Sequence, residues 1–115
     1  MTSNQELSIN IDTRSDMTVV TPNGDIDLSR APSFRTNIAE VFNAKPKKVA
    51  IDLSGVPYMD SSGVATLVEG MQLANRSGAT LVLVALQERV KSIFEIARLD
   101  TVFTIVDELA QAEEV

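Results

Sequence analysis

Residues 80–86, Thr-Leu-Val-Leu-Val-Ala-Leu, form an almost unbroken apolar run of strand length. A strand with one wet face alternates apolar and polar side chains, whereas a continuous run marks a strand covered on both faces. Such strands sit in the middle of parallel sheets, and parallel neighbours need crossover connections, usually helices. The rest of the chain has to supply those neighbours and those helices.

It does so in order. Leu7, Ile9 and Ile11 alternate with Ser8, Asn10 and Asp12, which predicts a half-buried strand. Arg14-Ser15-Asp16 reads as a tight turn and Met17–Thr21 as a second strand, so the chain opens with a hairpin that Pro22-Asn23-Gly24 ends. A helix follows, entered at Ser29 or Ala31 with Pro32 in its first turn and carrying Phe34, Ile38, Val41 and Phe42 as one buried stripe. Lys45-Pro46-Lys47-Lys48 breaks it, and Val49–Leu53 is a third strand. A second helix starts near Asp60-Ser61-Ser62-Gly63, has its apolar positions at Val64, Leu67, Val68, Met71 and Ala74, and stops at Gly78. After the apolar run, a third helix carries Val90, Ile93, Phe94 and Ala97, and Val102–Val106 is a short last strand. Asp107 is placed to cap a final helix that ends in an acidic tail at Glu113-Glu114. The predicted order is β-β-α-β-α-β-α-β-α: an α/β chain with a small mixed sheet and helices packed against it. Residues 1–6 are polar and read as a disordered N-terminus; residues 7–115 form a single domain, without internal repeat or linker.

Composition narrows the chemistry. The 115 residues include no His and no Cys, so a Ser-His-Asp triad, thiolate metal sites and disulfides are excluded. A net charge of −6 and an aromatic content of 4% disfavour direct binding to nucleic acid through bulk charge or base stacking. The N-terminal residues lack a signal-peptide pattern, and the longest apolar stretch, Leu81–Leu86, is too short to cross a bilayer. The expectation is a cytoplasmic domain without membrane insertion, without a cofactor or metal, and without enzymatic turnover.

The stretch from Val49 to Val64 holds the candidate site. It runs from a strand through a loop into a helix start, where backbone N–H groups lack partners and the helix dipole favours negative charge. A phosphate on a hydroxyl there would find donors, which makes Ser61 a candidate phosphorylation site, with Asp60 and Asp27 near the added charge. Plain helix capping is the simpler account of Asp-Ser-Ser on spacing alone; the accompanying Tyr58 and Met59, beside two acids, add to the functional case. Three enzyme-like readings compete, the weakest being Asp25-Ile26-Asp27 as a nucleotide-sugar metal site in so short a chain. Asp25-Ile26-Asp27 with Ser29 resembles a haloacid-dehalogenase nucleophile loop, but it does not follow a buried strand directly, since Pro22-Asn23-Gly24 intervenes. Asp52 stands near a strand end like the phosphoacceptor of a response-regulator receiver, but Ile11-Asp12-Thr13-Arg14 lacks the acid pair needed to hold Mg²⁺. Lys45, Lys47 and Lys48 form a basic turn, most simply a solvated loop.

These residues resemble the STAS domain family, and within it the bacterial anti-sigma factor antagonists. The resemblance spans about Leu7 to Val106 and rests on Gly24-Asp25-Ile26-Asp27, on Asp52-Leu53-Ser54 with Tyr58-Met59-Asp60-Ser61-Ser62-Gly63, and on Arg89-Val90-Lys91-Ser92-Ile93-Phe94 with Leu99 and Phe103. It departs at Asp25, where Glu is usual, at Ala65, where many members have Gly, and at Ala97-Arg98-Leu99, which lacks a Gly before the Leu. The resemblance implies a STAS-like fold and a protein that binds an anti-sigma factor serine kinase when unphosphorylated, releasing a sigma factor. It implies that the kinase modifies Ser61 and that a PP2C-type phosphatase resets it. Asp25, Asp27, Tyr58, Met59, Asp60, Ser62 and Gly63 are then the expected partner-binding residues. The alternative that the family offers is a STAS subunit of a lipid-transporting ABC system or of a stress-signalling assembly.

Overall fold

The computed structural model describes residues 7–115, so the expectation of a disordered segment over residues 1–6 lies outside the described residues. Among the described residues five strands form one sheet in sequential order: β1 (Ser8–Thr13), β2 (Thr18–Asn23), β3 (Lys48–Asp52), β4 (Thr80–Val84) and β5 (Thr104–Val106). β1 and β2 are antiparallel, and every later pair is parallel. The crossovers are α1 (Ala31–Asn43), α2 (Ser61–Ser77) and α3 (Glu88–Ile96), and the chain closes with α4 (Leu109–Ala112). The predicted order is therefore the observed one.

β4 explains the apolar run. Leu81 and Leu83 face the main core, which they share with Phe34 and Ile38 of α1, Leu67 of α2 and Phe94 of α3. Val82 and Val84 face the other side, with Met17, Val19, Ala50 and Ala112. That second layer is thin, and α4 completes it. Lys48 on β3 donates from Nζ to the carbonyls of Ala112 at 2.8 Å and Glu113 at 3.1 Å, a cation at a helix C-terminus.

Several local readings are corrected. The alternation expected over Leu7–Ile11 fades along the strand: Leu7 is buried, Ile9 half-buried and Ile11 is 41% exposed, because β1 is the edge strand at the margin of the core. Pro22 ends neither β2 nor the hairpin; it pairs with Ile9 beyond the last β2–β3 contact at Val20–Ile51, where a missing donor costs no central ladder bond. α4 is capped by Glu108 rather than Asp107, in a reciprocal capping box with Gln111. A single helical turn at Leu99–Thr101 precedes β5 and leaves Val102 exposed, and Ala97 is exposed as well. The buried face of α2 also includes Gly63, Thr66 and Gly70, which an apolar count passes over.

Those two glycines respond differently to a methyl group. A Cβ on Gly70 would sit 3.4 Å from Ile38 Cγ2, an ordinary contact, whereas on Gly63 it would meet Met59 Cγ at 2.5 Å and the Ile26 carbonyl oxygen at 3.0 Å. Gly70→Ala is expected to stabilise by about 0.5–1 kcal/mol through helix propensity. Gly63→Ala is expected to cost roughly 1–3 kcal/mol through overpacking. Urea denaturation of the two variants checks the opposite signs.

Candidate functional site

The loop after β3 is tied to the loop after β2. Leu53, Val56 and Met59 are fully buried and anchor the first loop. Gly24 N–H donates to the Gly55 carbonyl at 2.9 Å, Ile26 N–H to the Tyr58 carbonyl at 3.0 Å, and Asp60 N–H to the Ile26 carbonyl at 3.2 Å. Ile26 and Met59 form a parallel bridge. These bonds bring Asp25–Ser29 alongside Tyr58–Ser62 although about thirty residues separate them.

Asp60 is the junction. It stands at the N-cap of α2 in an extended backbone conformation. Its Oδ1 accepts from the Ser62 N–H at 2.9 Å, the Ser62 hydroxyl at 2.5 Å and, at 3.4 Å, the Gly63 N–H. Its Oδ2 accepts from the Leu28 N–H at 3.1 Å. The Ser62 hydroxyl, followed by these backbone donors and opposed by partial burial, holds the Asp60 carboxyl below the usual carboxylate range. Asp27 does the equivalent for the entry to α1: its Oδ1 accepts from the Ser29 hydroxyl at 2.9 Å and the Arg30 N–H at 3.1 Å, and its Oδ2 takes the Arg30 guanidinium at 2.7 Å. Its pKa is also lowered, first by the Ser29 hydroxyl and then by the Arg30 amide and charge. The resemblance of Asp25-Ile26-Asp27 to a nucleophile loop thus has a structural explanation in a helix-entry turn. Asp52 likewise accepts from the Ser54 N–H at 3.0 Å and closes a turn.

The two serines differ. Ser62 is committed to Asp60, while Ser61, the first residue of α2, is exposed and its hydroxyl makes no hydrogen bond to any described residue. Asp25 and Asp27 are half-buried and Tyr58 is 39% exposed. Met59 and Gly63 are corrected: both are buried, packed against one another and against Ile26, so they position the loop and offer a partner no surface. The sequence reading missed Leu28. It is 75% exposed, and its backbone is pinned to Asp60. Only the long-range contact reveals it, since in sequence it is one apolar residue in a polar turn.

The sequence pattern of the STAS domain matches residues 8–112. The chain belongs to the STAS domain family. The anti-sigma-B factor antagonist of Listeria monocytogenes is 35% identical over 83 residues, covering 71% of this chain and 72% of that one. An anti-sigma factor antagonist from Mycobacterium paratuberculosis superposes with a TM-score of 0.88 at 22% identity, covering 99% of this STAS chain and 97% of its own. The Bacillus cell fate determinant SpoIIAA in its phosphorylated form superposes with a TM-score of 0.72 at 16% identity, covering 93% and 97% of the two chains. These two likenesses carry the fold. Among the described residues no helix is long and apolar enough to cross a membrane.

The lowered Asp60 pKa sets a pH dependence. A carboxylate with a depressed folded pKa contributes stability above its unfolded value, about 3.9, and loses it as pH falls through the lower folded value. Asp60→Ala is expected to cost roughly 0.5–2 kcal/mol at neutral pH as a lost cap. The gap to the wild type should narrow below about pH 4. Urea titrations across pH 2–7 check this, and a gap independent of pH would contradict it.

Proposed function

We propose that this STAS protein is an anti-sigma factor antagonist whose binding is switched off by phosphorylation of Ser61. In the unphosphorylated state it binds an anti-sigma factor that is also a serine kinase, and the sigma factor is released. The kinase transfers the γ-phosphoryl group of ATP to Ser61 Oγ, the hydroxyl gives up its proton, and ADP leaves. A PP2C-type phosphatase returns the serine by hydrolysis. The protein itself contributes a surface and an acceptor hydroxyl and performs no turnover.

One observation carries this reading: the division of labour between Asp60, Ser62 and Ser61. Asp60 caps α2 and Ser62 is bonded to Asp60, so neither task depends on the Ser61 hydroxyl. A residue that gives nothing to the fold can be modified without unfolding it. A phosphoserine adds about −1.5 to −2 charges and three acceptor oxygens at neutral pH. It would stand at the start of a 17-residue helix, whose dipole favours it, and next to the Asp60 carboxylate, which opposes it. The net effect on stability is small, while the chemistry of the surface changes completely. Support from relatives is of the same kind: the Listeria protein is an anti-sigma-B factor antagonist, and the Bacillus protein exists in a phosphorylated form.

Ser61→Ala should melt within the equivalent of about 0.5 kcal/mol of the wild type. It should accept no phosphate from the host's anti-sigma kinase and ATP, and should keep binding that kinase. Ser62→Ala should instead lose stability and still be labelled. Labelling of Ser61→Ala, or loss of labelling in a folded Ser62→Ala protein, would overturn the assignment.

A further inference from the structure

We infer that Leu28 is the apolar anchor of the partner interface, and that phosphorylation of Ser61 acts by blocking dehydration of the surface around it; the inference rests on the partner-switching reading above. Leu28 is 75% exposed, whereas the flanking Ile26 is completely buried. A single exposed leucine is ordinary on a protein surface; what marks Leu28 is that its amide is held by the carboxylate next to Ser61. Its backbone is not loose. The Leu28 N–H donates to Asp60 Oδ2 at 3.1 Å, and the turn that carries it is closed by the Arg30 and Ala31 N–H groups on the Asp27 carbonyl at 3.0 and 2.8 Å. The side chain is therefore presented on a fixed backbone, and its ordering cost is met before a partner arrives. Tyr58, from the other loop, is 39% exposed, and its carbonyl holds the Ile26 N–H two residues before Leu28. The two loops that carry Leu28 and Tyr58 are thus joined next to Ser61 through the Asp60 carboxylate and the Ile26 backbone.

The carboxylates around this patch are largely committed. Asp27 is paired with Arg30, and Asp60 is held by Leu28, Ser62 and Gly63. The partner surface that fits is an apolar socket with hydrogen-bonding groups at its margin, rather than a cluster of cations. Seating Leu28 removes water from its surroundings, and a phosphate beside it cannot be dehydrated without a matching charge. This mechanism differs from long-range repulsion in its response to salt. Repulsion between exposed charges weakens as ionic strength rises, while a desolvation penalty persists.

The test is titration calorimetry of the anti-sigma kinase from the host, catalytically inactivated, against wild-type protein, Leu28→Ala and Leu28→Gln, each with Ser61 free and phosphorylated, at low and high salt. With Ser61 free, Leu28→Ala and Leu28→Gln should each weaken binding tenfold or more, as anchors at interface centres do. Their melting temperatures should match the wild type, because an exposed side chain holds no core. The ratio of free to phosphorylated affinity should be largest in the wild type, shrink in both variants and change little with salt. Wild-type affinity retained by both Leu28 variants would overturn the anchor, and a ratio that collapses at high salt would overturn the dehydration mechanism. If the unphosphorylated wild type binds no anti-sigma kinase of the host, the partner-switching reading itself fails, and the anchor with it.

Discussion

The Asp60 carboxylate accepts hydrogen bonds from two segments that are distant in sequence: the first turn of α2 on one oxygen and the Leu28 amide on the other. One group therefore ends a loop, starts a helix and fastens the loop after β2 beside it. Buried Met59 and the close fit of Gly63 against Met59 and Ile26 hold this carboxylate in register. What reaches the surface is decided by this arrangement: Ser61 with a free hydroxyl, Leu28 with a bare side chain, and Tyr58, whose carbonyl holds the Ile26 amide. The Ser61 hydroxyl and the groups that shape the loop are separate atoms, so under the proposed switch one can be modified while the other keeps its shape.

The sheet makes that junction rigid. β3 is covered on both faces: Val49 and Ile51 lie in the main core, and Ala50 lies in the thinner layer that α4 completes. The loops after β2 and β3 leave adjacent parallel strands in the same direction, so they emerge side by side, and three backbone hydrogen bonds between them need no special sequence. Sites at the carboxyl ends of parallel strands are a general consequence of this geometry. Here the two loops interlock with each other and leave a surface rather than a cleft.

Much of this was legible in the chain. The run at residues 80–86 demanded a central strand, the periodic stripes of α1 and α2 supplied its cover, and Gly78 marked a helix end that the left-handed backbone there confirms. Asp60-Ser61-Ser62 marked the cap. What failed depended on partners far along the chain. Met59 read as a surface residue beside two acids, and its burial comes from Ile26. Leu28 read as nothing, and its role comes from Asp60. Pro22 read as a strand end, and it is tolerated because β3 stops pairing two residues earlier. Asp107 read as a cap by residue type, while the reciprocal bond with Gln111 selects Glu108. Local chemistry names the elements; the side on which a loop residue lies is settled by the loop packed against it.

The shared carboxylate is the central claim, and a carbon-13 NMR titration of the Asp60 carboxyl group, with the amide signals of Leu28, Ser62 and Gly63 followed in the same samples, tests it most directly. The account predicts a midpoint below that of an ordinary aspartate, with all three amides shifting at that same midpoint. A Leu28 amide indifferent to the Asp60 titration, or a midpoint at or above the ordinary value, would contradict it.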